Sequence, residues 1–294
     1  MSFAVVTDTA ANLQNKHLAE NNIHVVPLTY YVDGVEQTCL DTDAFNGDEY
    51  YAMIKAGANV TTSQVPPQLF MECFEPLLKE GKDIICINIS AGISGTCNSA
   101  RIAAGQLLED YPDRKISVID TRGASLGEGF VALRAAPLRD EGKSFEEANA
   151  ILDEYVENMC QVFTVDDLMQ LKKGGRLSNL SAVMGTVLQI KPLLLGNHEG
   201  KIVAIAKIRG RKKSIEELAA RYEMHVADHA NSVVGIAQAG CRKDAEYLIE
   251  LLNKNKPPKE IITVEYEPVT GAHVGLGALA LFFPSHEGIR KMDK

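Results

Sequence analysis

Through its first half this chain alternates short apolar, β-branched runs with stretches of helical periodicity, and that alternation narrows its fold more than any other feature. The runs from Phe3 to Thr7, His24 to Tyr31, Asp83 to Ile89 and Ile116 to Ile119 read as strands. Helices are expected over Leu13 to Glu20, Ala44 to Lys55, Leu69 to Glu80, Ser94 to Asp110, Ser125 to Asp140 and Phe145 to Met159. Strands separated by whole helices pair in parallel through crossovers, so the expected fold class is α/β with an open, doubly wound parallel sheet.

The pattern changes near Cys160, where the strand-like QVFTV is followed by a short amphipathic stretch and the glycine-rich KKGGRLS. With 294 residues, more than one core is expected. The boundary is placed there, giving an N-terminal α/β domain over 1–160 and a C-terminal α/β domain over 161–294. In the second domain strands are expected at Val187 to Leu195, Lys201 to Ile208, Ser232 to Ala237, Glu260 to Glu267 and Leu279 to Phe283. Helices are expected from Ser214 and over Lys243 to Asn253. A tight turn at 197–200 joins two of these strands as a hairpin, so the second sheet is expected to be mixed.

Composition excludes several function classes. A net charge of −9 argues against a general nucleic-acid binder, which needs a basic face. No apolar run is long enough to span a bilayer and no signal-like leader opens the chain, so a cytoplasmic protein is expected. Cys39, Cys73, Cys86, Cys97, Cys160 and Cys241 show no CxxC spacing, and the histidines form no ligand pattern. Reduced structural thiols and no metal or cofactor are therefore expected.

In an open parallel sheet, ligands lie beyond the carboxyl ends of the strands. Three segments stand there: TDTAANL, SAGISGTCNSA and DTRGASLGEG. In the second, Gly92 and Gly95 permit close backbone approach, while Ser94, Thr96 and Ser99 surround a helix start whose amides favour an anion. Helix capping by Ser94 or Thr96 fits the same residues. Asp8, Asp120 and Ser125 fit structural roles at strand ends better than ligand contacts. Thr61, Thr62 and Ser63 precede a proline pair and, alone, read as a capping signal. Gly174 and Gly175 can project Arg176 toward a carboxylate or phosphate, or into solvent. Five cations between Lys207 and Lys213 suit a solvated face or an acidic partner. His273, set among Gly271, Gly275 and Gly277, can reach a ligand or serve the structure.

Taken in order, TDTAANL (7–13), TTSQ (61–64), ISAGISGTCNSA (89–100), DTRGASLGEG (120–129), LKKGGRLS (171–178), LQIKPLL (188–194), KIRGRKK (207–213) and PVTGAHVGLGALALFF (268–283) resemble the DegV family across nearly the whole chain. The resemblance implies a parallel-sheet N-terminal domain, a mixed-sheet C-terminal domain and a long-chain fatty acid held between them. It also implies a carrier that presents the carboxylate to a separate ATP-dependent fatty acid kinase catalytic subunit, which makes the acyl phosphate for phospholipid metabolism. Transient contact with a membrane surface is compatible with that role. The family's carboxylate-binding hydroxyls fall on Thr62 and Ser94, beside Ser63, Gly95 and Thr96; its histidine falls on His273 and its glycine-flanked arginine on Arg176. The family's HxGPGALG reads HVGLGALA here, with Leu276 for proline and Ala280 for glycine.

Burial of some fifteen methylenes gains roughly 12 kcal/mol before ordering costs, so the acyl chain supplies affinity and the polar residues satisfy the carboxylate. Two other readings use the same residues. One is a serine hydrolase with Ser94 as nucleophile and His273 as base, although no GxSxG elbow is present. The other is a binding module for a different small anion.

Overall fold

The computed structural model describes residues 3–178, 189–286 and 289–291. The expected strand start at Val187 and Leu188 lies outside the described residues. Two compact units are present, one formed by Met1–Phe45 with Val60–Val156 and the other by Asn46–Asn59 with Glu157–Lys294. The chain thus leaves the first unit for one helical excursion and returns to it.

In chain order the first stretch contains β1 (Phe3–Asp8), α1 (Asn15–Glu20), β2 (Ile23–Val26), β3 (Thr29–Val32), β4 (Val35–Thr38), α2 (Gly47–Ala56), β5 (Val60–Ser63), α3 (Pro67–Lys79), β6 (Asp83–Asn88), α4 (Thr96–Asp110), β7 (Ile116–Asp120), α5 (Leu126–Asp140) and α6 (Phe145–Asn158). Of these, α2 belongs to the second unit. The first unit's main sheet is wholly parallel, in the order β2-β1-β6-β7. Every residue of β1 and β6 is buried, which is why FAVVTD and DIICIN read as apolar runs and not as alternating strands. On α3, Phe70, Phe74, Leu77 and Leu78 make the buried stripe, and Pro67 in the first turn starts the helix without wasting an amide.

One expectation divides in two. The run from His24 to Tyr31 is not a single strand: β2 joins the parallel sheet, whereas β3 pairs antiparallel with β4 and β5 in a separate three-stranded sheet. Pro27 between them has no amide to give a ladder, and the next amide, Leu28 N–H, donates to Thr9 Oγ1 at 3.0 Å. The β3–β4 turn is Asp33-Gly34, both at positive φ, the conformation a two-residue hairpin requires.

The second unit continues with β8 (Met159–Thr164), α7 (Met169–Lys173), β9 (Ile190–Gly196), β10 (Ile202–Arg209), α8 (Arg211–His225), β11 (Val233–Gln238), α9 (Arg242–Asn255), β12 (Glu260–Glu265), α10 (Pro268–Val274) and β13 (Leu279–Pro284). Its sheet runs β10-β9-β8-β13-β11-β12, with only the β11–β12 pair parallel, and so is mixed as the turn at 197–200 implies. Asn197 Oδ1 accepts the amides of Glu199 and Lys201, closing that turn. Leu193, Leu195, Leu218, Tyr222, Val234, Ile236, Leu248 and Phe283 lie in this unit's core, with Tyr222 and Phe283 edge to face at 5.2 Å. Among the described residues no helix is long and apolar enough to cross a membrane.

Candidate functional site

Strand order reverses direction between β1 and β6, the point where an open sheet usually leaves a ligand crevice. Here the chain's own polar groups occupy it. The Asp8 carboxylate, fully buried at the end of β1, accepts Asn88 Nδ2 at 3.2 Å, Ile89 N–H at 3.1 Å and Ala10 N–H at 2.9 Å. Asp120 Oδ1 similarly takes the amides of Ala91 and Arg122. Ser125, at a φ of 54°, donates its amide to Ala10 O and accepts Asn12 Nδ2 on its hydroxyl. These residues build the rim of the sheet.

What the rim supports is the loop from Ser90 to Thr96. Ser90 O accepts the amides of Ile93 and Ser94, at 3.2 and 3.0 Å, and Ser90 Oγ accepts Gly92 N–H at 3.0 Å. The turn sets the half-buried Ser94 just ahead of α4, whose N-cap position is Gly95. Ser94 Oγ lies 3.0 Å from Thr96 Oγ1 and accepts Thr96 N–H at 3.3 Å, a long bond to a first-turn amide. The hydroxyl thus bonds the first helical amide from one residue before the cap, the cap residue Gly95 itself making no side-chain bond, and Ser94 remains partly accessible.

The TTSQ segment reaches the same place. Thr62 and Ser63 lie on β5, held by register with β3, where Thr62 is opposite Tyr30. Directly after them Gln64 Nε2 donates to Ser99 Oγ at 3.1 Å, and Val65 N–H donates to Thr96 Oγ1 at 3.3 Å. Gly95 is needed for this approach: a Cβ there would sit 1.9 Å from Gln64 Oε1. Thr62, Ser63, Ser94, Gly95 and Thr96 are thus drawn into one neighbourhood of the first unit. Sequence reading overlooked Gln64 as a bridging residue, although it is the fourth residue of the TTSQ motif.

In the second unit His273 lies on α10, a helix not expected from sequence because it is short and contains Gly271. Its start is set by the buried Glu267 carboxylate, which accepts the amides of Val269 and Thr270 at 2.6 Å, with Pro268 in the first turn. That Glu-Pro pair was the available signal. The His273 ring packs on Gly174, where an added Cβ would be 2.5 Å from Nδ1. Gly175, at a φ of 68°, makes the turn toward Arg176, whose guanidinium donates back to Gly174 O. Burial first, and the Arg176 cation second, lower the His273 imidazole from 6.5 to about 4. His273 is then neutral at pH 7, and ring-proton NMR should show it titrating near pH 4. Arg176→Gln should raise that midpoint while leaving it below 6.5; a His273 ring titrating near 6.5 in the unsubstituted protein would contradict the assignment.

Leu276, at the family's proline position, lies against Gly240, while Gly275 and Gly277 adopt positive φ on either side of it. The cationic run from Lys207 to Lys213 is less available than its sequence suggests. Arg211 is committed to Asp244 at 2.8 Å, and Lys212 lies 5.6 Å from the centre of the Tyr247 ring. Among the described residues no cluster of acids, histidines and cysteines suits a metal ion.

A family model described as "Uncharacterised protein, DegV family" matches residues 2–286. A DegV domain-containing protein of Clostridium perfringens is 36% identical over 281 residues, covering 96% of this chain and 97% of the relative. Among solved structures, a fatty-acid-binding DegV family protein from Thermus thermophilus has a TM-score of 0.88 at 30% identity, covering 97% of this chain and 100% of that one. DegV, a fatty acid binding protein from Bacillus subtilis, has a TM-score of 0.82 at 30% identity, again covering 97% of this chain and 100% of its own. A fatty acid binding DegV family protein from Streptococcus agalactiae gives 0.84 at 30% identity, covering 98% and 100%. With the family model spanning both units and the two sheets matching in type, the chain belongs to the DegV family.

Proposed function

We propose that this protein is a fatty-acid carrier: it holds a long acyl chain, keeps the carboxylate on the hydroxyls of Ser94 and Thr62, and presents it to a separate ATP-dependent kinase. The observation that carries this reading is that whole-chain relatives at 30% identity bind fatty acids. The local hydrogen bonding supports it. Thr96 Oγ1 accepts from Val65 N–H, so its own hydrogen can go to Ser94 Oγ, which also accepts Thr96 N–H. A hydroxyl with its acceptor sites used in this way has its own hydrogen left for an anion. In this reading Ser63, Gly95 and Thr96 shape the head-group pocket of the first unit, while in the second unit His273 and Arg176 offer a neutral imidazole and a cation suited to a carboxylate or phosphoryl group.

Ser94 Oγ bonds to Thr96 groups, neither of which is a base, so its local geometry favours a binding role over the nucleophile of a hydrolase. Denaturing extraction of protein purified from a bacterial host, followed by mass spectrometry, should recover fatty acid in near-stoichiometric amount. Protein that yields none, and that also fails to take up added fatty acid, would sink the proposal. The exposed Lys207 and Arg209, on the edge strand β10, supply cations for a kinase surface. Reversing both charges should slow acyl-phosphate formation with the kinase, increasingly so at low salt, without changing fatty-acid affinity. An equal loss of both would place these residues in the lipid site instead.

A further inference from the structure

A second acid lies near Asp8 in the first unit. Glu128, in the first turn of α5, is fully buried, and its Oε1 accepts Thr7 Oγ1–H at 2.9 Å. Its other oxygen, Oε2, is buried without a hydrogen-bond partner. The two carboxyls have opposite surroundings. Asp8 faces three N–H donors, from Asn88, Ile89 and Ala10, which is the environment of an ionised carboxylate. Glu128 has only neutral donors, the Thr7 hydroxyl and the Asp8 amide, and no cation to compensate a charge.

The remaining polar groups on the packed elements do not change this balance. From β6 come the Asn88 amide and the Cys86 thiol, the latter donating to Asn88 Oδ1 at 3.3 Å. From α4 comes Cys97, and from α3 Cys73, both thiols pushed upward chiefly by burial. From β7 comes Asp120, already bonded to the amides of Ala91 and Arg122. The largest influences on both acids are burial, each other and neutral donors. Two buried negative charges side by side would be poorly compensated here, and one proton removes one of them.

We propose that Glu128 carries a proton in the folded protein at neutral pH, so that Asp8 and Glu128 form a pair with a single negative charge, located on Asp8. The consequence reaches the loop described above. The ionised Asp8 anchors Asn88 and Ile89, immediately before the Ser90 turn that sets Ser94 in place. Ionisation of Glu128, its proton passing to solvent, puts a second charge beside that anchor and loosens it. Burial and the neighbouring Asp8 charge hold the Glu128 carboxyl well above its usual 4.5, and burial holds Asp8 up at about 6.

The sign of the linkage follows. The unfolded chain releases the Glu128 proton near 4.5, whereas the folded chain retains it. Unfolding above that pH releases a proton, and stability falls as pH rises until Glu128 itself ionises. Depressed histidines such as His273 act in the opposite sense, but only below their usual 6.5. Buried thiols such as Cys73 and Cys97, also raised by burial, act in the same sense as Glu128 but only as pH nears their usual 9, so the informative window is about pH 7 to 8.

With carboxyl-labelled glutamate in the whole protein, carbon NMR at pH 7 should show one side-chain carboxyl at the protonated position, correlated through bonds to the Glu128 backbone. If every glutamate carboxyl is at the ionised position, the proposal is overturned. The thermal midpoint of the unsubstituted protein should fall between about pH 7 and 8, and Glu128→Gln, which keeps shape and neutrality, should flatten that dependence. Parallel pH profiles would count against the proposal. Asp8→Asn, which turns an NH2 toward one of three donors, should lower the midpoint at every pH. A tolerated Asp8→Asn together with a damaging Glu128→Gln would put the proton on the wrong acid.

Discussion

Replacing Thr62 by valine and Ser94 by alanine together is expected to weaken long-chain fatty-acid binding by about a hundredfold or more. A hydrogen bond to a charged group is worth roughly 1.5–3 kcal/mol, and an acceptor left dry in the site adds its desolvation cost. Two such donors would then account for about two decades even allowing for non-additivity. The fold should tolerate both changes. Valine suits a strand, and Thr62 lies on β5 with its register to Tyr30 set by backbone bonds. Ser94 Oγ has only the long bond to Thr96 N–H and the hydroxyl contact to lose. Fluorescent fatty-acid displacement gives the affinity, and an unchanged unfolding midpoint excludes a folding defect. Unchanged affinity would move the carboxylate elsewhere in the molecule.

The second large effect concerns stability of the second unit. Tyr51→Ala is expected to cost about 3–5 kcal/mol, the range for deleting a large buried aromatic. Tyr51 is 1% exposed, stacks edge to face on Tyr50 at 5.2 Å, and donates its hydroxyl hydrogen to Tyr266 O at 2.8 Å. Tyr50 does the same to Pro268 O at 2.6 Å. Gly271 and Gly240 leave room for the Tyr51 ring; a Cβ on Gly271 would meet the Tyr51 hydroxyl at 2.3 Å. These contacts fasten the 46–59 excursion to the segment that starts α10, the helix bearing His273. Hydrogen exchange in Tyr51→Ala should accelerate in α2 and α10 before the rest of the unit. Uniform acceleration throughout the unit would show that the excursion is not a separately anchored element.

How far the sequence reveals all this depends on the kind of signal each element carries. The buried strands β1 and β6 and the amphipathic α3 and α9 announce themselves, because burial dictates their residues position by position. The small sheet does not. The four residues of β4 are all exposed, and β5 is short and polar, so neither has the apolar alternation that identifies a strand. The Asp33-Gly34 turn was a legible hairpin signal that the apolar run into Tyr31 masked. Pro27 likewise marked where one apparent strand becomes two. That small sheet is what delivers Thr62 and Gln64, so the part of the candidate site hardest to read from periodicity is the part the TTSQ motif alone pointed to.

The candidate residues show a similar division. Ser94, Gly95 and Thr96 follow a recognisable strand and open a recognisable helix, so their meeting was legible. Gln64 bridging to Ser99, and the His273 ring seated on Gly174, come from contacts distant in sequence, which no local pattern encodes. The excursion of residues 46–59 into the second unit is equally invisible locally, since α2 has an ordinary cap at Asn46 and an ordinary glycine stop at Gly57. The buried acid pair was half visible: Asp8 read as structural, and Glu128 within SLGEG gave no sign of burial.

The central claim is that the acyl chain supplies affinity while the Thr62 and Ser94 hydroxyls recognise the carboxylate. Calorimetric titration of delipidated protein with a long-chain fatty acid and with the alcohol of equal chain length separates the two contributions. The protein is expected to prefer the acid by about a hundredfold, and the Thr62→Val, Ser94→Ala protein to lose most of that preference while binding the alcohol as before. An acid-over-alcohol preference that survives both substitutions would contradict the account.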